Sequence, residues 1–154
     1  MRAAEQLRYL ILAAQREGNR RLTAMMSELG VTPAQSEALR IIADHGPLAL
    51  RELGDMLVCD TGTSPSRIVD RLVAAGFVER TTGEHDRRQV RLALTPQGRD
   101  KADRVAEVEN RLYDLIDRAS EGTDTDAVIE FLHAFTRQSP AGLALANRLA
   151  AEKG

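Results

Sequence analysis

The sequence has little of several features that define other protein classes. Of its 154 residues one is cysteine, Cys59, and none is tryptophan. A single cysteine excludes an internal disulfide framework. No apolar run approaches the roughly 20 residues of a membrane span. The apolar stretch LRYLILAAQ is too short, and too closely flanked by arginine, for a secretory signal. We therefore expect a cytoplasmic protein with no membrane partner.

Aromatic residues are also scarce, with three Phe and two Tyr in the whole chain. Hydrophobic residues make up 43% of the chain and charged residues 29%, which is ordinary for a soluble globular domain. The length is sufficient to bury a core. That core must be built from aliphatic side chains, which suits helices packed on helices.

The signatures of catalysis and of metal binding are missing as well. No phosphate-binding loop and no pairing of a nucleophile with a base can be found in the sequence. The three histidines, His45, His85 and His133, are scattered, whereas a zinc site needs three or four clustered ligands. We therefore predict neither an enzyme nor a bound metal or cofactor.

Charge is nearly balanced overall, but it is unevenly distributed. The formal net charge is −2, which excludes a generally basic nucleic-acid binder. Residues 64–96 nevertheless hold six arginines against four acidic residues, and residues 30–63 hold two against five. A small positive surface on a mildly acidic body fits a protein that contacts DNA over a limited area.

Hydrophobic periodicity, capping residues and glycine stops predict a mainly helical chain. Two short runs with strand character interrupt the helices, and the second alternates cleanly. The predicted helices cover about 3–28, 33–44, 49–57, 65–75, 96–119, 124–137 and a short segment from 140, and the strands cover 77–80 and 90–94.

The most informative segment runs from Ser64 to Thr95. Ser64 is a helix cap, Pro65 takes the first helical position, and Gly76 ends the helix. The inner stripe of this helix consists of Ile68, Val69, Leu72 and Val73, and its other face carries Ser66, Arg67, Asp70 and Arg71. A helix followed by two strands and a polar turn predicts a winged helix-turn-helix, with a β-wing of two or three strands.

Arg67 and Arg71 lie one helical turn apart on the polar face. An arginine in the major groove can make a bidentate contact with guanine, or it can contact a phosphate. Ser64 and Ser66, at the start of the helix, suit a phosphate contact through hydroxyl and backbone N–H groups. The alternative is a solvent-exposed helix face that does not contact DNA. Asp70 would then pair with Arg67 or Arg71, Arg71 would stabilise the helix-turn-helix, and Ser64 would serve only as a helix cap.

The polar turn between the strands holds Asp86, Arg87 and Arg88. Arginine is attracted into a narrow minor groove, where the negative potential is enhanced. The alternative is a surface turn in which Asp86 pairs with Arg88 and holds the hairpin. Sequence alone leaves open which arginine enters the groove.

The two ends of the chain carry apolar stripes that a small head cannot cover. Leu7, Leu10 and Ile11 recur at helical spacing near the N-terminus, and a later helix is expected to direct Val128, Ile129, Leu132 and Phe135 inward. Dimerisation through the termini is the economical solution. We therefore divide the chain into a dimerisation helix at 1–30, a DNA-binding head at 31–96 and further dimerisation helices at 97–154.

The ordered set of motifs resembles the MarR family of winged helix-turn-helix regulators over nearly the whole chain. The residues that carry the resemblance are Thr32-Pro33-Ala34-Gln35, Gly46-Pro47-Leu48, Glu52-Leu53, Arg71-Leu72, Gly76-Phe77-Val78-Glu79-Arg80, Asp86-Arg87-Arg88 and Leu94-Thr95-Pro96-Gln97-Gly98. The spacing from Asp86 and Arg88 to Leu94 and Thr95 matches the wing signature of that family.

The resemblance implies a homodimer that binds a pseudo-palindromic operator in double-stranded DNA. The fourth helix would enter the major groove and the wing would reach the minor groove, with Asp86 orienting one inserted arginine. Such proteins are usually repressors, and many release DNA when a small aromatic or phenolic compound binds between the dimerisation helices and the head.

The sequence departs from the family pattern between Cys59 and Pro65. A glycine often stands where Cys59 is found, and Pro65 replaces a helical residue, so we expect the recognition helix to begin late, at Ser64. Cys59 also raises a redox hypothesis, since a nearby helix start or arginine lowers a thiol pKa. The alternative is a buried cysteine that serves only in packing.

Two further function classes compete with a DNA-binding regulator. A winged helix can serve as a protein–protein module, because a fold does not fix a function. Arginines on both helix and wing favour DNA, since a protein interface tends to use aromatic anchors. An enzyme is disfavoured by the missing catalytic groups described above.

Overall fold

In a computed structural model, which describes residues 1–59, 62–82 and 90–152, those residues form seven helices and two strands. In chain order they are α1 (Ala3–Ser27), α2 (Pro33–His45), α3 (Leu50–Met56), α4 (Pro65–Ala74), β1 (Val78–Thr82), β2 (Val90–Leu94), α5 (Pro96–Ala119), α6 (Thr125–Thr136) and α7 (Pro140–Ala151). The predicted fold class and the predicted order of elements are confirmed.

Side-chain caps begin most of the helices where the sequence predicts them. The Thr32 hydroxyl accepts from the Gln35 backbone N–H at 3.2 Å, and Gln35 Oε1 accepts from the Thr32 N–H at 2.9 Å. This reciprocal pair satisfies two of the backbone donors that a helix start leaves open. Thr95 and Ser139 cap α5 and α7 through the hydroxyl alone, each ahead of a proline at the first helical position.

Helix α3 begins without a capping side chain, as its alanine at position 49 predicts. The Glu52 carboxylate replaces the missing cap, because its Oε2 accepts from the Ala49 N–H at 2.6 Å. Alanine has no side-chain acceptor, so α3 has only the half of a capping box that Glu52 supplies.

The wing is an antiparallel pair in which Val78 faces Leu94 and Thr82 faces Val90. One further bridge extends it: Leu48 and Leu92 exchange backbone hydrogen bonds of 3.2 and 2.8 Å. The segment before α3 therefore occupies the position of a third strand. The two paired strands and this bridge together agree with the predicted wing of two or three strands.

The hydrophobic core is aliphatic, as the scarcity of aromatic residues predicts. It is centred on α2, α4 and the wing, where Leu39, Val69 and Leu72 are at most 1% exposed. Met26 from α1 and Val105 from α5 belong to the same cluster. One core thus draws on all three predicted segments, and the division at 30 and 96 stays a prediction.

The joint between the wing and α5 is the tightest backbone approach in the head. The Thr95 hydroxyl donates to Gly76 O at 2.6 Å and accepts from the Gly98 N–H at 3.0 Å. A Cβ placed on Gly98 would lie 1.8 Å from Phe77 O, so only glycine fits there. These contacts fix how the wing leaves the head.

Helix α6 differs from the rest of the fold, because none of its residues is buried in the single chain. Its apolar side chains were expected to face inward, yet Phe135 is 67% exposed. The other end of the chain adds exposed Leu7 and Leu10 from α1. We call these side chains the terminal patch; its members are Leu7, Leu10, Ile11, Ala14, Val128, Ile129, Phe131, Leu132 and Phe135.

Across residues 1–59, 62–82 and 90–152, no helix has the length and apolar character needed to cross a bilayer. The same residues contain no group of three or more His, Cys, Asp or Glu side chains arranged to hold a metal ion.

Candidate nucleic-acid interface

Helix α4 presents a polar face because its other face is fully used by the core. Ile68, Val69 and Leu72 are between 0 and 3% exposed. The helix begins at Ser64, whose Oγ accepts from the Arg67 backbone N–H at 3.4 Å. The late start that the sequence predicts is therefore what the structure shows.

The outward face of α4 carries the residues that the sequence assigns to DNA. Ser64, Ser66, Arg67 and Arg71 are all exposed. Neither Arg67 nor Arg71 has an ion pair with another described residue. Their guanidinium groups, four residues apart, stand on one side of a capped helix and are available to an external anion.

Asp70 pairs with a different residue from those that the sequence suggested. Its carboxylate accepts a hydrogen bond from Nη2 of Arg80 on β1, rather than from Arg67 or Arg71. The pair is exposed and therefore contributes little to stability. Its consequence is geometric, because it links the middle of α4 to the first strand of the wing and leaves Arg67 and Arg71 without an ion pair to any residue that the structure describes. Sequence reasoning missed Arg80, since nothing local marks a contact across ten residues.

The second strand of the wing is tied to the start of α3. Arg91 Nη1 donates to Pro47 O at 3.3 Å and to Glu52 Oε2 at 3.4 Å. The Glu52 carboxylate therefore serves both the start of α3 and the wing. Sequence reasoning missed this role of Arg91, because no local pattern connects it with Glu52.

The tip of the wing lies outside the described residues. Asp86, Arg87 and Arg88, the predicted minor-groove residues, fall within 83–89, where the structure describes nothing. Their assignment stays a prediction. The strands on either side, from Val78 to Thr82 and from Val90 to Leu94, are paired in register up to the edge of that segment.

The connection from α3 to α4 is held by a carboxylate from α2. Glu37 Oε1 accepts from the Val58 N–H at 2.9 Å, and Glu37 Oε2 accepts from the Cys59 N–H at 2.8 Å. Cys59 is partly buried and packs against the core, and the redox hypothesis for its thiol stays untested. The sequence had given Glu37 no role.

A cavity of about 650 Å³ lies behind the start of α4, between the helix-turn-helix and α7. One wall comes from the head and includes Cys59, Pro65 and Ile68. The opposite wall comes from α7 and includes Pro140 and Leu143. The resemblance places a ligand between the dimerisation helices and the head, and that expectation stays a prediction.

Comparison with known proteins agrees with this geometry. The MarR family model matches residues 31–90. The organic hydroperoxide resistance transcriptional regulator of Bacillus subtilis is 26% identical over 121 residues, which cover 79% of this chain and 82% of that protein. The crystal structure of a cysteine-to-serine mutant of MarR from E. coli complexed with operator DNA has a TM-score of 0.68 and 27% identity, covering 88% of this chain and 94% of that one.

The MarR family model therefore covers the helix-turn-helix segment of this chain, and the solved structure of MarR resembles the chain over most of its length. This confirms the resemblance and, with it, the expected function class of a DNA-binding transcriptional regulator. A more distant structure shares the fold at a TM-score of 0.74 and 18% identity, covering 91% of this chain and 83% of that one. It is an organohalide-sensing regulator in its 2,4-dichlorophenol-bound form.

Proposed function

We propose that this protein is a regulator of the MarR family and a cytoplasmic homodimeric repressor that binds a pseudo-palindromic operator. The single observation that carries the proposal is the outward face of α4. Arg67 and Arg71 are exposed and unpaired among the described residues, on a helix fixed by a cap, by the core and by the Asp70–Arg80 link. Unpaired arginines on a rigid helix are suited to base edges and phosphates in a major groove.

The terminal patch supports the homodimer. An isolated chain would leave nine apolar side chains of α1 and α6 in water, among them Phe131 and Phe135. A contiguous apolar surface of this kind marks an interaction site. A two-fold dimer would cover the patch with its own copy and would place two α4 helices against successive major grooves.

For DNA contacts we assign Ser64, Ser66, Arg67 and Arg71 on α4 and Arg87 and Arg88 on the wing, with Asp86 orienting the wing. The serines would contact phosphates at the start of the helix. One wing arginine would enter the minor groove, which suits the strand pair that leads to the wing tip on both sides.

Release by a small aromatic or phenolic ligand completes the proposal. The cavity of about 650 Å³ behind α4 is of a size that holds such a molecule. A ligand wedged between α7 and the start of α4 would displace the recognition helix. The expected result is that 2,4-dichlorophenol at saturating concentration weakens operator binding, and unchanged binding removes this ligand from the proposal.

The experiment that tests DNA reading starts from a random-sequence duplex pool. The protein should select a two-fold symmetric sequence, and binding to it should weaken steeply in a salt series. The variants Arg87→Ala and Arg88→Ala are then compared with the wild type at fixed salt. We expect at least one of them to weaken operator binding while the fold stays intact. Failure to enrich any sequence at low salt would favour a protein–protein module instead.

A further inference from the structure

Glu37 is a largely buried carboxylate whose two oxygens are both occupied by backbone donors. Its side chain is 13% exposed. The donors, the N–H groups of Val58 and Cys59, lie just after the end of α3 and 21 and 22 residues away in sequence. Hydrogen bonds from N–H groups to a carboxylate are among the strong ones in proteins. Glu37 therefore sets the path on which the chain leaves α3 toward α4.

Helix α7 reaches this site from the far end of the chain. Arg148 Nη1 lies 3.5 Å from Glu37 Oε1, and its side chain is 25% exposed. The neighbouring Asn147 donates through Nδ2 to Asp55 O at 3.0 Å, in the last turn of α3. A carbonyl in the last turn of a helix has no partner within the helix, so Asn147 caps α3 from outside.

Other charged groups lie nearby, and Glu109 among them also interacts electrostatically with Arg148. Arg40 of α2 lies 3.5 Å from both Asp44 and Glu109. Among the described residues, Arg148 is the cation within 4 Å of Glu37. The buried negative charge that holds the turn thus depends on an arginine supplied by α7.

We infer that Glu37 and Arg148 are positioning residues for the recognition helix. By fixing the chain at Val58 and Cys59, which follow α3 and precede α4, they set how α4 meets DNA, although neither residue touches DNA. Helix α7 follows α6, which carries half of the terminal patch. A second copy seated on that patch would therefore hold α7 in place and stabilise the turn. This inference rests on the proposed DNA-binding function and adds a path from the dimer interface to the reading helix.

The test uses a duplex that the wild-type protein has selected from a random pool. Glu37→Gln removes the charge and one of the two acceptors, and we expect it to raise the Kd about tenfold. Arg148→Met, which keeps an unbranched apolar stem and removes the guanidinium, should raise the Kd about fivefold, and Arg148→Lys should restore most of the affinity. The double variant should bind no worse than Glu37→Gln, because both changes break one network.

Two readouts separate positioning from direct contact and from general destabilisation. The slope of log Kd against log salt should be unchanged in Arg148→Met, whereas loss of a phosphate contact reduces that slope by about one. Amide hydrogen exchange at Val58 and Cys59 should accelerate in both variants. Glu28→Gln and Arg111→Met provide a matched control, since they alter an exposed pair of 3.8 Å between α1 and α5. Both should bind as the wild type does.

Wild-type affinity in Arg148→Met, with a normal thermal midpoint, would overturn the inference, and so would a salt slope reduced by one. If Glu37→Gln does not fold, Arg148→Met and Arg148→Lys decide the question alone. Failure of the wild type to select any duplex overturns the proposed function instead, so the two failures are distinguishable.

Discussion

The helix-turn-helix head and the terminal helices both have apolar faces, and they differ in whether the same chain buries those faces. In the head, α2 and α4 bury their apolar faces against each other, and Leu39, Val69 and Leu72 are almost completely hidden. In α6 no residue is buried, and Phe135 is 67% exposed. Both regions have amphipathic helices, but only the head contains the partners that its apolar faces need.

This difference separates the region that we assign to DNA contact from the region that we assign to dimerisation. The head buries its own apolar faces, so Arg67 and Arg71 stand on a helix that is packed within one chain. The terminal region leaves its apolar side chains exposed in one chain, and a second copy is the partner that we propose for them. Arg148 connects the two regions, because α7 extends from the incomplete region into the turn that precedes α4. The predictions that follow probe the contrast from the largest expected effect to the smallest.

The sharpest contrast is between two glycines in helices. A Cβ at Gly98 would lie 1.8 Å from Phe77 O, whereas a Cβ at Gly18 of α1 meets no atom within 4 Å. We expect Gly98→Ala to cost about 3 kcal/mol or more, because backbone must move in a packed head. Gly18→Ala should stabilise α1 by about 0.5–1 kcal/mol through helix propensity. Urea unfolding of both variants measures the difference, and equal effects would contradict the description of the wing joint.

The same substitution in the two regions should behave differently with protein concentration. Leu72→Ala empties a site that is 1% exposed and should cost about 2–5 kcal/mol at any concentration. Leu132→Ala, at a site 39% exposed in one chain, should lower stability through dimer dissociation. Its loss should therefore grow on dilution. Thermal unfolding over a hundredfold concentration range separates the two, and a concentration-independent loss in Leu132→Ala would argue against the terminal patch as the dimer interface.

The polar face of α4 should affect binding and leave stability unchanged. Arg67→Ala is expected to weaken operator binding by about 1–3 kcal/mol. Its unfolding free energy should stay within about 0.5 kcal/mol of the wild type, since the side chain is exposed and unpaired. Arg104→Ala on the exposed face of α5 is the control and should change neither quantity. A loss of stability equal to the loss of binding in Arg67→Ala would show a structural role instead.

The smallest expected effect concerns pH and the α2–α5 contact. Burial raises the pKa of Glu109 above its usual value near 4.5, and Arg40 partly opposes the rise. Because the folded state holds this proton more tightly, the related stability is greatest below pH 4.5 and is lost as pH rises through the folded pKa. Glu109→Gln should therefore stabilise the protein at pH 7 by under about 1 kcal/mol. Arg40 keeps Asp44 as a partner.

Urea unfolding of Glu109→Gln and the wild type at pH 4 and pH 7, at one protein concentration, checks this prediction. The advantage of the variant should shrink as the pH falls toward 4. A variant that is less stable than the wild type at pH 7 would show that the contact with Arg40 outweighs the cost of burial.

Local chemistry explains what the sequence could predict. Thr32, Ser64 and Thr95 each cap a helix through an atom three residues away, so the helix starts follow from short-range patterns. The buried stripe of α4 follows from helical spacing in the same way. The predicted DNA-contacting residues on α4 are exposed for the same reason, since they occupy the face that the stripe leaves.

Long-range contacts explain what the sequence could not predict. Glu37 meets Val58, Arg91 meets Glu52 and Asp70 meets Arg80 only after the helices and the wing have packed. No spacing rule connects such residues. The prediction that the apolar side chains of α6 face inward is wrong for the single chain, because none of its residues is buried there. Their exposure agrees with the other expectation from the sequence, that a small head cannot cover the apolar stripes at the two ends.

The composition and symmetry of the complex with a selected duplex test the central claim most directly. Analytical ultracentrifugation gives the number of chains per duplex, and hydroxyl-radical footprinting gives the contacts along it. We predict two chains per duplex and a two-fold symmetric footprint, with half-sites about one helical turn apart. One chain per duplex, or an asymmetric footprint, would contradict the proposal that this protein is a dimer that reads DNA through paired α4 helices.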